Sequence, residues 1–385
     1  MVKCCLKFDN SLQTYCSGSL ITGQVKIILD NATEFQGVLL KIIGKAYVNW
    51  SEADPNNSTS NQEIYTSCEN YLNSVIYLIG SNKFDETSTI EPGTHIFNFS
   101  CKLPSQLPTS FEGSHGYIRY SAHLILDRPK KLNETLITGF TVINILDLNH
   151  EFLSLRTPTT VEIEKNFMFW PCTNKPLIIR LTIPQTGYVC GQNVHASIQI
   201  VNQSAQKINS VKIYLMKISK FTSDFPLTKT KIEERSIAKN YITAIKNEPE
   251  ENFKCDLQIP STSATCLESI CKNIQIQYEI RAKATIEGYL SPIAAIPITI
   301  GNVPFINATE GLSTMYISTE NSEDIKSLEV LIANYGLPPP TYEEAVEMEK
   351  VKFNCDEDNC YIQLEYIPKY PVYNFNKHER IVQLQ

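Results

Sequence analysis

The chain has 385 residues, of which 42% are hydrophobic and 19% are charged, and its formal net charge is −7. At about 150 residues per domain, this length predicts two or three domains that each bury a core. The apolar content excludes wholesale disorder, and the modest Gly and Pro content excludes a collagen-like repeat. No apolar run reaches the roughly 18 residues that span a bilayer, and the first residues lack the apolar stretch of a secretory signal. We therefore predict a soluble protein of the cytoplasm.

The negative charge is concentrated near the carboxyl end. Residues 310–360 contain 12 acidic side chains and three lysines, a net charge of −9, which leaves about +2 for the rest of the chain. A nucleic-acid-binding protein usually has a basic face instead. We therefore expect a nearly neutral body with an acidic tail and no nucleic-acid partner.

The chain lacks the short motifs of common enzymes and metal sites. Its twelve cysteines include no C-x-x-C pair, and no histidine lies beside them at metal-ligand spacing. No P-loop, G-x-S-x-G, H-E-x-x-H or G-x-G-x-x-G motif occurs. We expect no enzymatic activity, no catalytic residues, no metal and no cofactor, and interpret the cysteines as reduced thiols in the core. A disulfide-bonded, adhesive β-sandwich outside the cell is an alternative that free thiols in the purified protein would reject.

Alternation of apolar and polar residues is the dominant pattern, and it predicts half-buried β-strands. In chain order the pattern occurs at Val38/Leu40/Ile42, over residues 118–124, at Val211/Ile213/Leu215, and over residues 274–287, where every even position is apolar. Polar clusters such as residues 51–62 are typical of loops. Because long helical periodicity is nearly absent, the predicted fold class is all-β. On this pattern His123 is expected to face solvent.

A shift of 173 residues aligns the two halves of the chain without a gap. The matched positions are Tyr15/Tyr188, Gly18/Gly191, Ile21/Val194, Val25/Ile198, Ile27/Ile200, Phe35/Ile208, Val38/Val211, Leu40/Ile213 and Ile42/Leu215. Each half opens with Tyr-x-x-Gly, followed by a strand, a polar turn and a second strand. The sequence therefore predicts two homologous β-sandwiches in tandem.

The composition places the expected domain boundaries. Residues 1–150 form the first predicted sandwich and residues 174–303 the second, with an interdomain linker over 151–173. After residue 303 the alternation fades and the acidic residues begin. We therefore expect residues 304–385 to form a flexible, largely disordered tail.

The tail contains a PPxY motif, Pro339-Pro340-Thr341-Tyr342. Successive prolines are fixed near polyproline II geometry, so they lose little entropy when they dock into the aromatic-lined groove of a WW domain. Pro339 and Pro340 are expected to fill that groove, and the Tyr342 ring to enter the neighbouring pocket. Thr341 and Glu344 form a capping box that predicts a short helix after the prolines. A proline-rich linker that ends in tyrosine by chance is the alternative interpretation.

Segments of both predicted sandwiches resemble the arrestin superfamily. Residues 103–120 (LPSQLPTSFEGSHGYIRY) and 126–129 (LDRP) are similar to the N-terminal arrestin domain. Residues 187–192 (GYVCGQ) and 201–204 (VNQS) are similar to the entry of the C-terminal domain, although family members usually carry proline where Cys190 stands. The likeness covers most of residues 1–303. Together with the PPxY tail, it makes the chain similar to the α-arrestins, the arrestin domain-containing proteins.

This resemblance implies a trafficking adaptor. α-Arrestins engage membrane receptors or transporters as cargo, and they recruit WW-domain-containing HECT-type ubiquitin ligases through PPxY motifs. Ubiquitylated cargo then enters endocytosis and endosomal sorting, which implies peripheral association with the plasma membrane and endosomes. A visual or β-type arrestin that binds phosphorylated receptors in signal desensitisation is the alternative, although the tail contains no good clathrin-binding box.

Two further features of the tail resemble or adjoin α-arrestin elements. The segment around Pro368, Tyr370, Pro371 and Tyr373 lacks paired prolines, so we expect it to bind WW domains weakly or to dock back on the body. Lys350 and Lys352 follow the PPxY motif and are candidate ubiquitin acceptors. Ordinary surface lysines are the alternative interpretation of that pair.

Overall fold

The computed structural model describes most of the predicted body and two short pieces of the tail. The described residues are 2–53, 62–81, 87–151, 153–167, 175–204, 206–305, 360–362 and 366–373. They contain 21 β-strands, a four-residue helix α1 (Leu148–Glu151) and a 3-10 turn (Leu153–Arg156). The all-β prediction is confirmed.

The first eleven strands build the amino-terminal half. They are β1 (Val2–Phe8), β2 (Thr14–Cys16), β3 (Leu20–Leu29), β4 (Thr33–Phe35), β5 (Gly37–Ala53), β6 (Gln62–Ile79), β7 (Ser88–Ile90), β8 (Gly93–Lys102), β9 (Phe111–Gly113), β10 (Gly116–Asp127) and β11 (Glu134–Ile143). One sheet has the order β1-β3-β8, and the second contains β2-β11-β10-β5-β6. The small pair β4-β7 forms a separate ribbon.

The remaining strands repeat this arrangement. They are β12 (Thr159–Lys165), β13 (Leu177–Ile183), β14 (Gly187–Val189), β15 (Asn193–Asn202), β16 (Ile208–Ser223), β17 (Lys229–Ile242), β18 (Glu250–Gln258), β19 (Ile274–Ile286), β20 (Ile293–Gly301) and β21 (Cys360–Ile362). The sheets of this half have the orders β12-β13-β15-β18 and β14-β20-β19-β16-β17. The last strand, β21, adds to the first half instead.

The two halves share one strand topology, including a parallel pairing of a short strand in each half. In each sandwich a three-residue strand pairs in parallel with the last long strand, β2 with β11 and β14 with β20. The strands β3 and β15 are related by the same 173-residue shift that aligns the sequences. The prediction of two tandem sandwiches is therefore confirmed.

Strand alternation places the core between the sheets, as period-two patterning requires. In β3 the side chains of Ile21, Val25 and Ile27 are buried, and their neighbours Leu20 and Gln24 are exposed. The largest fully buried side chains include a tyrosine in each of three different strands, Tyr120, Tyr188 and Tyr278. Six of the nine described free cysteines are buried beside these apolar residues.

The structure differs from the sequence prediction over residues 151–173. The segment Thr159–Lys165 is not a linker there, because it pairs antiparallel with β13 along its whole length and forms the edge of the second sandwich. Val161 and Ile163 pack against the core while Thr160, Glu162 and Glu164 face outward. An edge strand buries only part of one face, so its alternation is short and polar enough to resemble a connection.

Side chains from both sandwiches meet at the domain junction. The Phe111 and Phe221 rings lie 6.3 Å apart between centroids and join the two cores. Around them, Lys229 Nζ lies 2.6 Å from Glu52 Oε2, and the Ser114 hydroxyl donates a 2.7 Å hydrogen bond to Glu233. These contacts hold the two sandwiches in one relative orientation.

Candidate functional site

The tail returns to the body and crosses from one sandwich to the other. The strand β21 pairs in parallel with β11, with Leu136 opposite Tyr361. Residues 366–373, here called the tail segment, then lie across the domain junction. Tyr366 and Tyr370 are each only 6% exposed, and Pro368 is buried as well. Composition predicts a flexible tail here, but this part of the tail is packed against the body, which is one of the two outcomes expected for the segment around Pro368.

In the first sandwich the tail segment is held by two buried residues of the body, Ser110 and Thr141. The Tyr370 hydroxyl donates a 3.0 Å hydrogen bond to the backbone carbonyl oxygen of Ser110. The backbone N–H of Lys369 donates to Thr141 Oγ1 at 3.3 Å, and the Tyr366 hydroxyl lies 3.4 Å from the same atom. Burial raises the pKa of the Tyr366 hydroxyl, so it remains protonated and able to donate.

In the second sandwich the tail segment is held at its last residue. The backbone N–H of Tyr373 donates a 3.0 Å hydrogen bond to the carbonyl oxygen of Cys190. The Tyr373 hydroxyl donates a 2.6 Å hydrogen bond to the carbonyl oxygen of Asn302. Gly191 lies directly beneath, with φ of +91°, and a side chain there would collide with the Tyr373 carbonyl oxygen. We call the surface formed by Ser110, Thr141, Cys190, Gly191 and Asn302 the interdomain groove.

The predicted site residues fall into two groups. Pro339, Pro340 and Tyr342 of the PPxY motif, and the candidate ubiquitin acceptors Lys350 and Lys352, lie outside the described residues. Pro368, Tyr370, Pro371 and Tyr373 lie in the interdomain groove. The structure thus places these four residues on the body, where the hydroxyls of Tyr370 and Tyr373 donate to backbone oxygens.

Sequence reasoning missed Tyr366 and the whole set of groove residues. The one available signal for Tyr366 was its spacing from the other two tyrosines of the segment, at positions 366, 370 and 373. The groove binds the tail segment mainly through backbone carbonyl oxygens. Because every residue type has such an oxygen, no sequence pattern identifies these acceptors. Gly191 could be aligned with Gly18 of the first half, but alignment did not indicate a contact with the tail.

The other described residues were compared with the requirements of a metal site, a ligand cleft and a membrane span. Within those ranges no group of three or more His, Cys, Asp or Glu side chains is arranged to hold a metal ion. An open cleft of about 350 Å³ lies between the edge strands β17 and β18. No helix in the described part of the chain is long and apolar enough to cross a membrane.

Comparison with protein families agrees with this architecture. Residues 4–149 match the model "Arrestin (or S-antigen), N-terminal domain", and residues 173–305 match "Arrestin (or S-antigen), C-terminal domain". These ranges cover both sandwiches and end just before the tail. The chain belongs to the arrestin family.

Its relatives place it more narrowly. Arrestin domain-containing protein 4 of Mus musculus is 25% identical over 94% of this chain and 88% of its own length, and the Homo sapiens protein of the same name is 26% identical over 94% and 82%. Arrestin domain-containing protein 17 of Caenorhabditis elegans is 27% identical over 52% of this chain and 47% of its own length. The predicted likeness to α-arrestins is confirmed, and the chain is an arrestin-type adaptor.

Proposed function

We propose that this adaptor links membrane receptors or transporters to a WW-domain HECT-type ubiquitin ligase, and so directs their ubiquitylation, endocytosis and endosomal sorting. The observation that carries the proposal is the PPxY motif at residues 339–342, which follows the second arrestin domain. By its resemblance to α-arrestins, the body binds the cargo and the PPxY motif binds the ligase. The protein then acts in the cytoplasm, at the plasma membrane and at endosomes.

The attachment of the chain on both sides of the motif supports a role in bringing two partners together. The second sandwich ends with β20 before the motif, and β21 lies on the first sandwich after it. Tyr342 precedes Cys360 by 18 residues, which span at most about 65 Å when fully extended. A ligase bound at the motif is thereby confined close to whatever the body holds, which raises its effective concentration at the cargo.

Exposed apolar residues at the domain junction are the candidate cargo contact. Phe225 and Leu227, between β16 and β17, are 69% and 51% exposed, and Ile64 of β6 is 55% exposed. The backbone of Phe225 pairs with Thr66 of the other sandwich, so these side chains come from adjoining hairpins. Exposed aromatic and aliphatic side chains of this kind are typical of protein interaction surfaces.

The adaptor itself is a second target for ubiquitin transfer in this proposal. Lys350 and Lys352 lie within ten residues of Tyr342, inside the space that a ligase bound at the motif would reach. We propose them as acceptors. Replacing both by arginine keeps the charge but removes the reactive amine, so any ligase-dependent modification at these positions should disappear from the mass spectrum.

The proposal is tested by titrating the full chain, and a peptide covering residues 334–352, against a panel of WW domains. We expect micromolar binding that Tyr342→Ala abolishes in both formats. Tyr335→Ala is the matched control, because it removes a nearby tyrosine outside the motif and should leave binding unchanged. Phe225→Ala should also bind WW domains normally, since it affects only the proposed cargo contact.

Absence of WW-domain binding would contradict the proposal. If no WW domain binds either the full chain or the peptide, the ligase half of the proposal is wrong. Phosphorylated receptor tails, the ligands of visual and β-type arrestins, would then be the next ligands to test.

A further inference from the structure

We propose that the interdomain groove is a binding site for extended peptides with free tyrosine hydroxyls, and that residues 366–373 of this chain are its resident ligand. A partner segment with tyrosines at the same spacing would displace the tail segment and take its place. This site is separate from the PPxY motif and does not depend on a WW domain.

The groove binds two tyrosine hydroxyls of the tail segment, each through its own backbone acceptor. The Tyr370 and Tyr373 hydroxyls donate to the backbone oxygens of Ser110 and Asn302 at 3.0 and 2.6 Å. Phenylalanine at these positions would leave both carbonyl oxygens without that donor, and a buried unpaired acceptor is costly. A site that bonds a hydroxyl therefore rejects the analogue that lacks it. A phosphotyrosine is rejected as well, because its oxygen has lost the proton that the carbonyl accepts.

Hydrogen bonds within the body hold both acceptor residues, Ser110 and Asn302, in place. Ser110 exchanges two hydrogen bonds of 2.9 Å with Val142, one through its backbone N–H and one to its hydroxyl. Asn302 is held in the same way by Leu146, at 2.8 Å through its backbone N–H and 3.0 Å to its side-chain oxygen. Acceptors that are already in position lower the entropy lost on binding. The groove is therefore a preorganised site.

The backbone of the tail segment also fits the groove. Lys369 and Tyr373 place their N–H groups on acceptors of the groove, Thr141 Oγ1 and the Cys190 oxygen. Pro368 precedes Lys369, and Pro371 lies between Lys369 and Tyr373. Neither proline has an N–H that needs an acceptor, and both favour an extended chain. Gly191 provides the close approach at the end of the segment. The ligand class is thus an extended peptide that alternates tyrosine with proline.

Because the resident ligand is tethered, it competes at high effective concentration. Covalent attachment can give a segment an effective concentration of about 1 mM at its site, which a free peptide must overcome. The native chain should therefore bind added peptide weakly, and a chain whose own segment is weakened should bind it well.

The test uses a fluorescent peptide of residues 364–375 and the full-length chain. In the variant Tyr370→Ala/Tyr373→Ala the resident segment loses both hydroxyl contacts, and we expect it to bind the peptide at least ten-fold more tightly than the native chain. Peptides with phenylalanine at the two positions, or with phosphotyrosine, should bind at least ten-fold more weakly than the tyrosine peptide. Tyr342→Ala is the tail control and should behave like the native chain.

A change in the body tests the groove directly. Added to the double alanine variant, Gly191→Ala should abolish peptide binding, because the new side chain occupies the path of the peptide backbone. Gly288→Ala is the matched control: Gly288 also has a positive φ, +73°, but no atom lies within 4 Å of the added carbon. It imposes a similar backbone strain and should leave peptide binding intact.

The outcomes separate a binding site from a fixed strap. Equal binding of the peptide to native and variant chains, no binding to the variant, or equal binding of the phenylalanine peptide would each overturn the proposal. Should the double variant fail to fold, hydrogen exchange on the native chain decides. Excess ¹⁵N-labelled peptide should then speed exchange of the chain's own amides at Lys369 and Tyr373, and unchanged exchange would also reject the site.

Discussion

The hydroxyl of Tyr120 donates a 2.7 Å hydrogen bond to the backbone carbonyl oxygen of Pro108, inside the first sandwich. Tyr278 makes the same bond, also 2.7 Å, to the carbonyl oxygen of Ser263 inside the second. Both tyrosines lie on the central strand of the larger sheet, and both are at most 1% exposed. Each sandwich thus uses one buried tyrosine to tie a long strand to the loop before it.

We expect Tyr120→Phe and Tyr278→Phe each to lower the free energy of unfolding by about 1–3 kcal/mol, because each leaves a buried carbonyl oxygen without its donor. Denaturant unfolding monitored by fluorescence measures the change. Tyr241→Phe is the control, since Tyr241 is 54% exposed and its hydroxyl can bond to water. Loss of stability in the control that equals the loss in the buried variants would contradict the hydrogen-bond explanation.

The sequence allowed the strands and their duplication to be predicted, because burial on one face of a sheet leaves a local period of two. It did not allow the Tyr120–Pro108 bond to be predicted, since the acceptor is a backbone atom whose position depends on the fold. The interdomain groove was missed for the same reason. The PPxY motif could be recognised because its geometry is set by its own prolines. The edge strand over Thr159–Lys165 was missed because an edge strand has little hydrophobic pattern.

Gly44 leaves room for the Tyr120 ring on the neighbouring strand. It lies opposite Tyr120 in the pairing of β5 with β10, and an added Cβ would lie 2.5 Å from the Tyr120 ring and 3.2 Å from Leu72 Cβ. Gly44→Ala should therefore lower the free energy of unfolding by about 1–3 kcal/mol through overpacking.

Gly37 provides the comparison, because it lies in the same strand β5 and its added Cβ would meet only atoms at 3.7 Å or beyond. Gly37→Ala should be neutral or stabilising by up to about 1 kcal/mol, since alanine restricts the unfolded chain. Thermal unfolding of both variants gives the answer. Equal stability of Gly44→Ala and Gly37→Ala would show that the sheet relaxes around the methyl group.

Phosphorylation of Tyr342 should switch the PPxY motif off. The WW pocket that receives the tyrosine ring is apolar, and a phosphate adds nearly two negative charges and three strongly hydrated oxygens. We expect the phosphorylated peptide of residues 334–352 to bind WW domains at least ten-fold more weakly than the unmodified peptide. A peptide phosphorylated at Tyr335 carries the same charge outside the motif and should bind almost normally. Unchanged affinity of the Tyr342 phosphopeptide would contradict this prediction.

His123 makes the stability of the first sandwich depend on pH. The alternation predicts a solvent-facing side chain, and the ring does lie on the outer face of β10, but it is half-buried there, with Nε2 2.8 Å from the Ser121 hydroxyl oxygen. Burial, aided by the positive charges of Lys41 and Lys45, lowers the pKa of His123 to about 4. The sheet therefore favours the neutral ring, whereas an unfolded chain binds the proton near pH 6.5.

The sign of the effect follows from proton binding. Between about pH 6.5 and pH 4 the unfolded chain holds a proton on this histidine that the folded chain lacks, so stability falls as the pH falls through that window. Below about pH 4 both states are protonated and the loss stops growing. Because the ring keeps some solvent contact, we expect about 1–2 kcal/mol rather than the full value of the shift.

His123→Gln should remove this part of the acid sensitivity, since the amide can still bond to Ser121 but cannot titrate. The measurement is the free energy of unfolding of both proteins at pH 7 and pH 4.5. Carboxylates titrate in the same range, but they contribute equally to both proteins and cancel in the difference between them. A native chain that loses no more stability than the variant would show that Lys41 and Lys45 move away and that water reaches the protonated ring.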